Sequence, residues 1–221
     1  MDLILILIII FLPLIASFYI KINYNKYIKV KTSNNLTGFE VARKILDKHN
    51  LKDVHIVKTN GTMSDHYDSS RKVVRLSSDV FDGTTIAANA IAAHEVGHAI
   101  QDKEGYFFLK LRGFIFPIVK IASSIAYYII FIGFLLELMD LARLGILLVS
   151  LGLLFQIITL PVEFNASKRA KQELENNNLL NQDEIRGTKK MLLSAAFTYV
   201  AGVLASALQL LRLILITNNR D

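Results

Sequence analysis

The chain has 221 residues, 52% of them hydrophobic, and a mean hydropathy of +0.40, too apolar for an ordinary soluble domain of this length. It has no cysteine, which excludes a disulfide framework and any thiolate metal site, so a metal would be held by His, Asp or Glu. The net charge of +6 fits the basic cytoplasmic loops of a membrane protein. No RNP, zinc-finger or helix-turn-helix pattern accompanies it, and no nucleic-acid partner is expected.

In chain order, residues 3–20 form an apolar stretch long enough to cross a bilayer. Asp2 is its only early charge and no small-x-small site ends it before Lys21, so it reads as an uncleaved anchor. Thr37-Gly38-Phe39-Glu40 is a capping box ahead of VARKILDKHNL, an amphipathic helix. DVHIVKT alternates and ends at the turn signal Asn60-Gly61. TMSDHYDSSRKVVRLS reads as one or two strands with a polar turn near Ser69-Ser70. From Thr84 the chain becomes alanine-rich, TTIAANAIAAHEVGHAIQ. This is a helix with so little surface polarity that it is buried by protein or lies near the membrane. Three further apolar stretches follow, at about residues 114–138, 141–160 and 191–216. Lys120 and Arg212 lie near span ends, where long side chains snorkel to water. Gln156 and Gln209 are placed to hydrogen-bond between spans.

The helix in IAAHEVGHAIQ carries the chemistry. His94 and His98 are four residues apart, about 400° of helical rotation, and share one face. Two imidazoles so placed can share a tetrahedral ion, and Glu95 can reach a water on it. Glu95 is then the general base and later the proton shuttle to a leaving amine. Zinc suits peptide hydrolysis because it lowers the pKa of its water to about 7 and polarises the scissile carbonyl. The motif alone is weak evidence. Burial strengthens it, since imidazoles and a carboxylate inside a helix packing are costly without partners, and a metal supplies one. The plain alternative is a buried helix that happens to carry two histidines.

A catalytic zinc needs a third protein ligand. Glu104 lies six residues after His98, where HExxHxxGxxH enzymes place theirs, but Gln101 stands where those have the turning glycine. Glu163 lies 65 residues after His98, in PVEFNASKRA at the foot of the third span. The hairpin of the second and third spans returns Glu163 to the side where the histidines sit, and Pro161 is placed to aim a new helix at them. Topology favours Glu163, and the residues leave both open. His66 and Tyr67 are candidate stabilisers of the tetrahedral oxyanion, or else polar surface of a hairpin. KVVRLS is a candidate exposed strand to which an extended substrate adds, or else an internal strand. Asn89, one turn before His94, orders the site or caps a buried contact, and His49 and His55 read as surface or helix-end residues.

IAAHEVGHAIQ followed by LPVEFNASKRA, with DHYD and VRLS upstream, resembles the YugP-type bacterial membrane neutral zinc metallopeptidases over nearly the whole chain. The active-site plan is similar to that of the HtpX-type and CAAX prenyl proteases. The resemblance implies that His94, His98 and Glu163 bind one zinc ion per chain and that Glu95 is the base. Three positions depart from the family pattern: Ser69 follows Asp68 where DHYDP is expected, Asn165 stands where aspartate is frequent, and Ser167 stands where related glutamate-ligand enzymes have an aspartate. The last puts the orientation of His94 in question.

The expected fold is a mainly α integral membrane protein, with about four transmembrane helices and a small α+β zincin-like domain between the first and second. The expected divisions are an anchor at 1–20, the zincin-like domain at 21–113 and a transmembrane hairpin at 114–160. A helix carrying the third ligand follows at 161–190, then a last span and tail at 191–221. Lys21, Lys26, Lys29 and Lys31 follow the first span, Lys110 and Arg112 precede the second, and Lys168, Arg169, Lys171, Arg186, Lys189 and Lys190 lie between the third and fourth. The turn between the second and third spans, with Glu137, Asp140 and Arg143, is not basic. The positive-inside rule then puts both basic segments in the cytoplasm and both termini outside. The expectation is a multi-pass protein of the bacterial plasma membrane with its active site facing the cytoplasm. It would be a gluzincin-like zinc endopeptidase acting on peptides or membrane-protein segments in contact with the lipid bilayer. The competing expectations are a non-catalytic membrane scaffold or assembly factor, and a metal-dependent hydrolase of non-peptide bonds. No LDG motif in a span and no GxxxxGK[ST] support a site-2 or an FtsH-type protease. Oligomeric state is not legible in the residues.

Overall fold

The computed structural model describes residues 2–218, so Met1 and residues 219–221 of the expected C-terminal tail lie outside it. The elements in chain order are α1 (Asp2–Tyr27), α2 (Gly38–Lys48), β1 (His55–Thr59), β2 (His66–Asp68), β3 (Val73–Ser77), α3 (Ser78–Phe81), α4 (Ile86–Lys103), α5 (Phe107–Leu135), α6 (Met139–Asn176) and α7 (Gln182–Asn218). Helices α1, α5, α6 and α7 are each long and apolar enough to cross a membrane. Pro161 does not start a new helix, as its position had suggested; it lies inside the continuous α6. Proline removes one backbone donor, and membrane helices tolerate it where neighbouring groups satisfy the freed carbonyl.

The chain forms two compact units, one made of residues up to Ser17, Phe107–Pro161 and residues from Phe197, the other of Phe18–Tyr106 and Val162–Ala196. The first unit is helical. Phe114, Ile121, Tyr128 and Phe131 of α5 and Leu147 of α6 point outward, the arrangement a lipid solvent favours. Helices α5 and α6 pack through glycines: a Cβ on Gly133 would sit 2.5 Å from the Ala142 nitrogen, and one on Gly145 would sit 2.5 Å from the Ile130 side chain. Small residues let helix backbones approach where no hydrophobic driving force separates helix from lipid.

The second unit is built on a three-stranded sheet of order β1-β3-β2, with β1 parallel and β2 antiparallel to β3. KVVRLS is therefore the central strand, and β1 and the short β2 are the two edges, with β2 packed against α4. Val74 and Leu76 of β3 are fully buried against Val41, Ile45 and Leu46 of α2, Val80 of α3, Val96 and Ile100 of α4 and Leu174 of α6. Helix α2 starts at the expected capping box, with Thr37 Oγ1 accepting from the Glu40 amide and Glu40 accepting from the Thr37 amide. Helices α2, α4, α5 and α6 end alike, with Asn50, Gly105, Glu137 and Asn178 in the left-handed region. The next residue of each, Leu51, Tyr106, Leu138 or Leu179, donates its amide back to the carbonyl five residues earlier. This is the Schellman closure, which satisfies carbonyls left over at a helix end.

Helix α4 is buried on nearly every side, which explains its alanines: larger side chains would not fit between α2, the sheet and α6. Its closest approach to α6 is at Gly97, where a Cβ would meet the Ala166 carbonyl oxygen at 2.8 Å and its Cα at 3.2 Å. Gly97→Ala therefore has to push two backbones apart. We expect it to lower stability by about 1–3 kcal/mol, read as a fall in Tm of the detergent-purified protein, whereas Gly113→Ala, with open space around it inside α5, should leave Tm unchanged or raise it.

Candidate metal centre

Helix α4 presents His94 and His98 with ring centroids 4.8 Å apart and planes nearly perpendicular. Glu163 reaches them from α6: its Oε2 lies 3.3 Å from His94 Nε2 and 3.6 Å from His98 Nε2. The three side chains offer ligand atoms within 4.8 Å of one another, and His98 and Glu163 are 7% and 5% exposed. Around a tetrahedral ion with bonds of about 2.0–2.1 Å, ligand atoms stand about 3.3 Å apart. Two imidazole nitrogens and one carboxylate oxygen at this spacing fit a zinc ion and leave its fourth position to water or substrate.

The outer nitrogens of both rings are held. His98 Nδ1 lies 3.0 Å from Gln101 Oε1. The Gln101 amide nitrogen donates to the Val162 carbonyl at 2.8 Å and to Asn165 Oδ1 at 3.0 Å. A backbone carbonyl accepts only, so it fixes which end of the Gln101 amide faces the histidine. His98 must then donate from Nδ1, which leaves the Nε2 lone pair turned toward Glu163. Asn165 also accepts from Arg169 Nε at 2.7 Å, and Arg169 holds Glu104 through both carboxylate oxygens, at 3.0 and 2.6 Å. His94 Nδ1 lies 3.2 Å from Ser167 Oγ. The Ser167 hydroxyl can accept a hydrogen bond from His94 Nδ1–H, which orients the ring.

Glu95, next to His94, is 8% exposed. Burial pushes its carboxyl up to about 7, with His94 lowering it, Glu163 and Asp65 raising it, and the backbone amide of Tyr67 donating to it. That amide belongs to edge strand β2, which packs against α4. Asp65 is half-buried, and desolvation raises its carboxyl although it accepts from the Ser77 amide at 2.7 Å and from the Ser77 hydroxyl.

The other expected residues fall elsewhere. Glu104 caps the end of α4, is 49% exposed on its side chain, and is held below the ordinary glutamate range by the hydrogen bonds and charge of Arg169. The Tyr67 hydroxyl donates to Asp102 at 2.8 Å, and Lys72 pairs with the same oxygen. His66 is exposed, with Nδ1 2.9 Å from the Ser64 carbonyl. Asn89 donates to Thr32 Oγ1 at 3.4 Å, a contact away from the metal ligands. His49 caps α2 and pairs with Glu173 at 2.9 Å. Gln101 was legible only as a missing glycine. The signal that could have found it is a fully buried amide three residues after a ligand histidine on the same helix.

The model of the family described as "Putative neutral zinc metallopeptidase" matches residues 2–218. The chain is 48% identical over 207 residues to a protein of Bacillus subtilis (strain 168) named "Putative membrane protease YugP", covering 93% of this chain and 92% of that relative. No solved structure matches the chain.

The geometry predicts the outcome of metal analysis on detergent-purified protein. Wild type and Glu104→Ala should carry near-stoichiometric zinc, and Glu163→Ala should lose it. Gln101→Leu should keep its fold and bind zinc about 10–100-fold more weakly, measured by competition with a chelator of known affinity. Zinc retained in Glu163→Ala would remove this carboxylate from the centre.

Proposed function

We propose a mechanism for a chain that, on these matches, belongs to the neutral zinc metallopeptidase family: it is a membrane-bound endopeptidase whose centre is His94, His98 and Glu163, with Glu95 as general base. The observation that carries the proposal is the convergence of His94, His98 and Glu163, drawn from two helices, with the buried Glu95 beside His94. A zinc ion bound there supplies Lewis acidity toward the scissile carbonyl and a lowered pKa for water.

The chain's own groups account for the rest. His94 and His98 present their Nε2 atoms because Ser167 and Gln101 hold the Nδ1 atoms. Glu163 adds the negative charge that two neutral imidazoles lack. The Glu95 carboxylate takes a proton from the attacking water and passes it to the leaving amine. Its elevated affinity for protons, a result of burial, suits a group that must both accept and return one. The backbone amide of Tyr67 holds that carboxylate in place.

Edge strand β2 supports a peptide substrate in extended form, since its outer side is unpaired in the sheet and its Tyr67 amide already faces Glu95. Of the two residues expected to steady the oxyanion, His66 suits the role better, because the Tyr67 hydroxyl is committed to Asp102. The basic segments flanking the spans favour a cytoplasmic active site in a bacterial plasma membrane, with residues 21–113 and 161–190 on that side. Substrates under this reading are set by reach: peptides, or membrane-protein segments extended at the bilayer surface.

The test is cleavage of a quenched fluorescent peptide library by the purified protein. Glu95→Gln should keep its zinc and lose about 10²–10⁴-fold in turnover, and a zinc chelator should abolish wild-type cleavage until zinc is restored. Undiminished turnover in Glu95→Gln would remove the general-base assignment.

A further inference from the structure

The helical unit contains a half-open polar cleft that peptide hydrolysis does not use. Two neighbouring cavities, of about 510 and 380 Å³, share Gln156, Ala205 and Ser206 as a common wall. They are walled by α1, α5, α6 and α7, and no charged residue lines either one. Both glutamines of the spans, Gln156 and Gln209, line the larger.

Most hydroxyls in these helices are satisfied at home. Ser124, Ser150, Thr159 and Thr217 each donate to a carbonyl three or four residues earlier on the same helix. Gln156 and Ser206 bond each other across α6 and α7 at 2.8 Å. Ser123 of α5 and Gln209 of α7 are different: neither side chain makes a hydrogen bond with a described residue, and both line the larger cavity. Hydrocarbon offers no water for such groups, so leaving them without a partner is costly.

The glycines point the same way. Gly133 and Gly145 are needed for helix contact, since a Cβ on either would clash at 2.5 Å. Gly152 and Gly202 are not. A Cβ there would meet only Ser123 Oγ or Gln156 Oε1, each at 3.5 Å, which is ordinary contact. Alanine would fit at both and would favour the helix. What glycine preserves at these two positions is open space beside polar groups.

We propose that this cleft binds an uncharged membrane lipid whose head carries ester carbonyls and a hydroxyl, of the acylglycerol kind. An amide and a hydroxyl offer donors and acceptors to such a head, whereas nothing in the walls matches a phosphate. Ile9, Val149 and Leu153 supply apolar wall for acyl chain. A substrate's transmembrane helix fits less well, because it satisfies its own amides and brings no free carbonyl. The volume falls within the range of small-ligand sites, about 300–1,000 Å³.

The probe is a photoactivatable dioleoylglycerol, added to the full chain in phosphatidylcholine nanodiscs, with labelled peptides mapped. Labelling should fall on α6 and α7 near Gly152, Gln156 and Gln209, and be competed by unlabelled dioleoylglycerol and not by phosphatidylglycerol. Gln209→Leu should weaken it about threefold to tenfold, and Gly152→Leu should abolish it by filling the cleft. Zinc content at the wild-type level certifies the fold of each variant and keeps this result separate from the peptidase assignment. Should Gly152→Leu fail to fold, Gln209→Leu together with Ser123→Ala carries the comparison. Equal competition by phosphatidylglycerol, or labelling that survives these substitutions, would overturn the proposal. So would absent labelling together with a raised Tm in Gly152→Leu, the result expected of a water-filled or empty void.

Discussion

The approach of α4 to α6 at Gly97 is the constraint on which the centre depends. The two backbones nearly touch, with no room for a Cβ between Gly97 and the Ala166 carbonyl. His94 and His98 stand on either side of that contact on one helix, and Glu163 stands less than one turn before it on the other. A carboxylate and two imidazoles brought together out of water carry a large desolvation cost. The arrangement is economical only if something positive sits among them, and a divalent ion meets that requirement, with the Glu163 oxygen already 3.3 and 3.6 Å from the two imidazole nitrogens.

Around this contact, polar side chains tie the same two helices. Gln101 is fully buried, yet each of its amide atoms has a partner: His98 on its own helix, Val162 and Asn165 on α6. Arg169 extends the chain of contacts to Glu104 at the end of α4. A fully satisfied buried network fixes one arrangement, whereas a partly satisfied one would not. Asn165 accepts two hydrogen bonds, from amide and guanidinium donors, which an aspartate would do with added charge. Ser167 meets His94 with a hydroxyl, a weaker orienting group than a carboxylate.

The helical unit uses glycine in two ways. At Gly133 and Gly145 the missing side chain lets helices touch; at Gly152 and Gly202 it leaves a polar recess open. The distinction rests on what a Cβ would meet, and no pattern of small residues along the helices reveals it. Gln156 and Gln209 illustrate the same limit: both were expected to bridge spans, and only Gln156 does so.

Local physics made much of this protein legible from its residues. Hydropathy over 18 or more residues marks a membrane helix, so four spans followed from composition and length alone. The capping box at Thr37 and the turn at Asn60-Gly61 are short-range signals, and a helical repeat of four residues puts His94 and His98 on one face wherever the helix lies. Where helices continue past the apolar stretch was not legible, because a helix ends on backbone hydrogen bonding and hydropathy does not report it; α6 runs through Pro161 for that reason. The order of strands was not legible either, since alternation in KVVRLS suits an edge or a centre, and only pairing with β1 on one side and β2 on the other made it central. The placing of Glu163, and not Glu104, beside the two histidines, the tautomer imposed by Gln101 through the Val162 carbonyl and the commitment of Tyr67 to Asp102 rest on contacts between residues far apart in the chain. Such contacts exist only once the helices have packed, and the tertiary structure alone decided them.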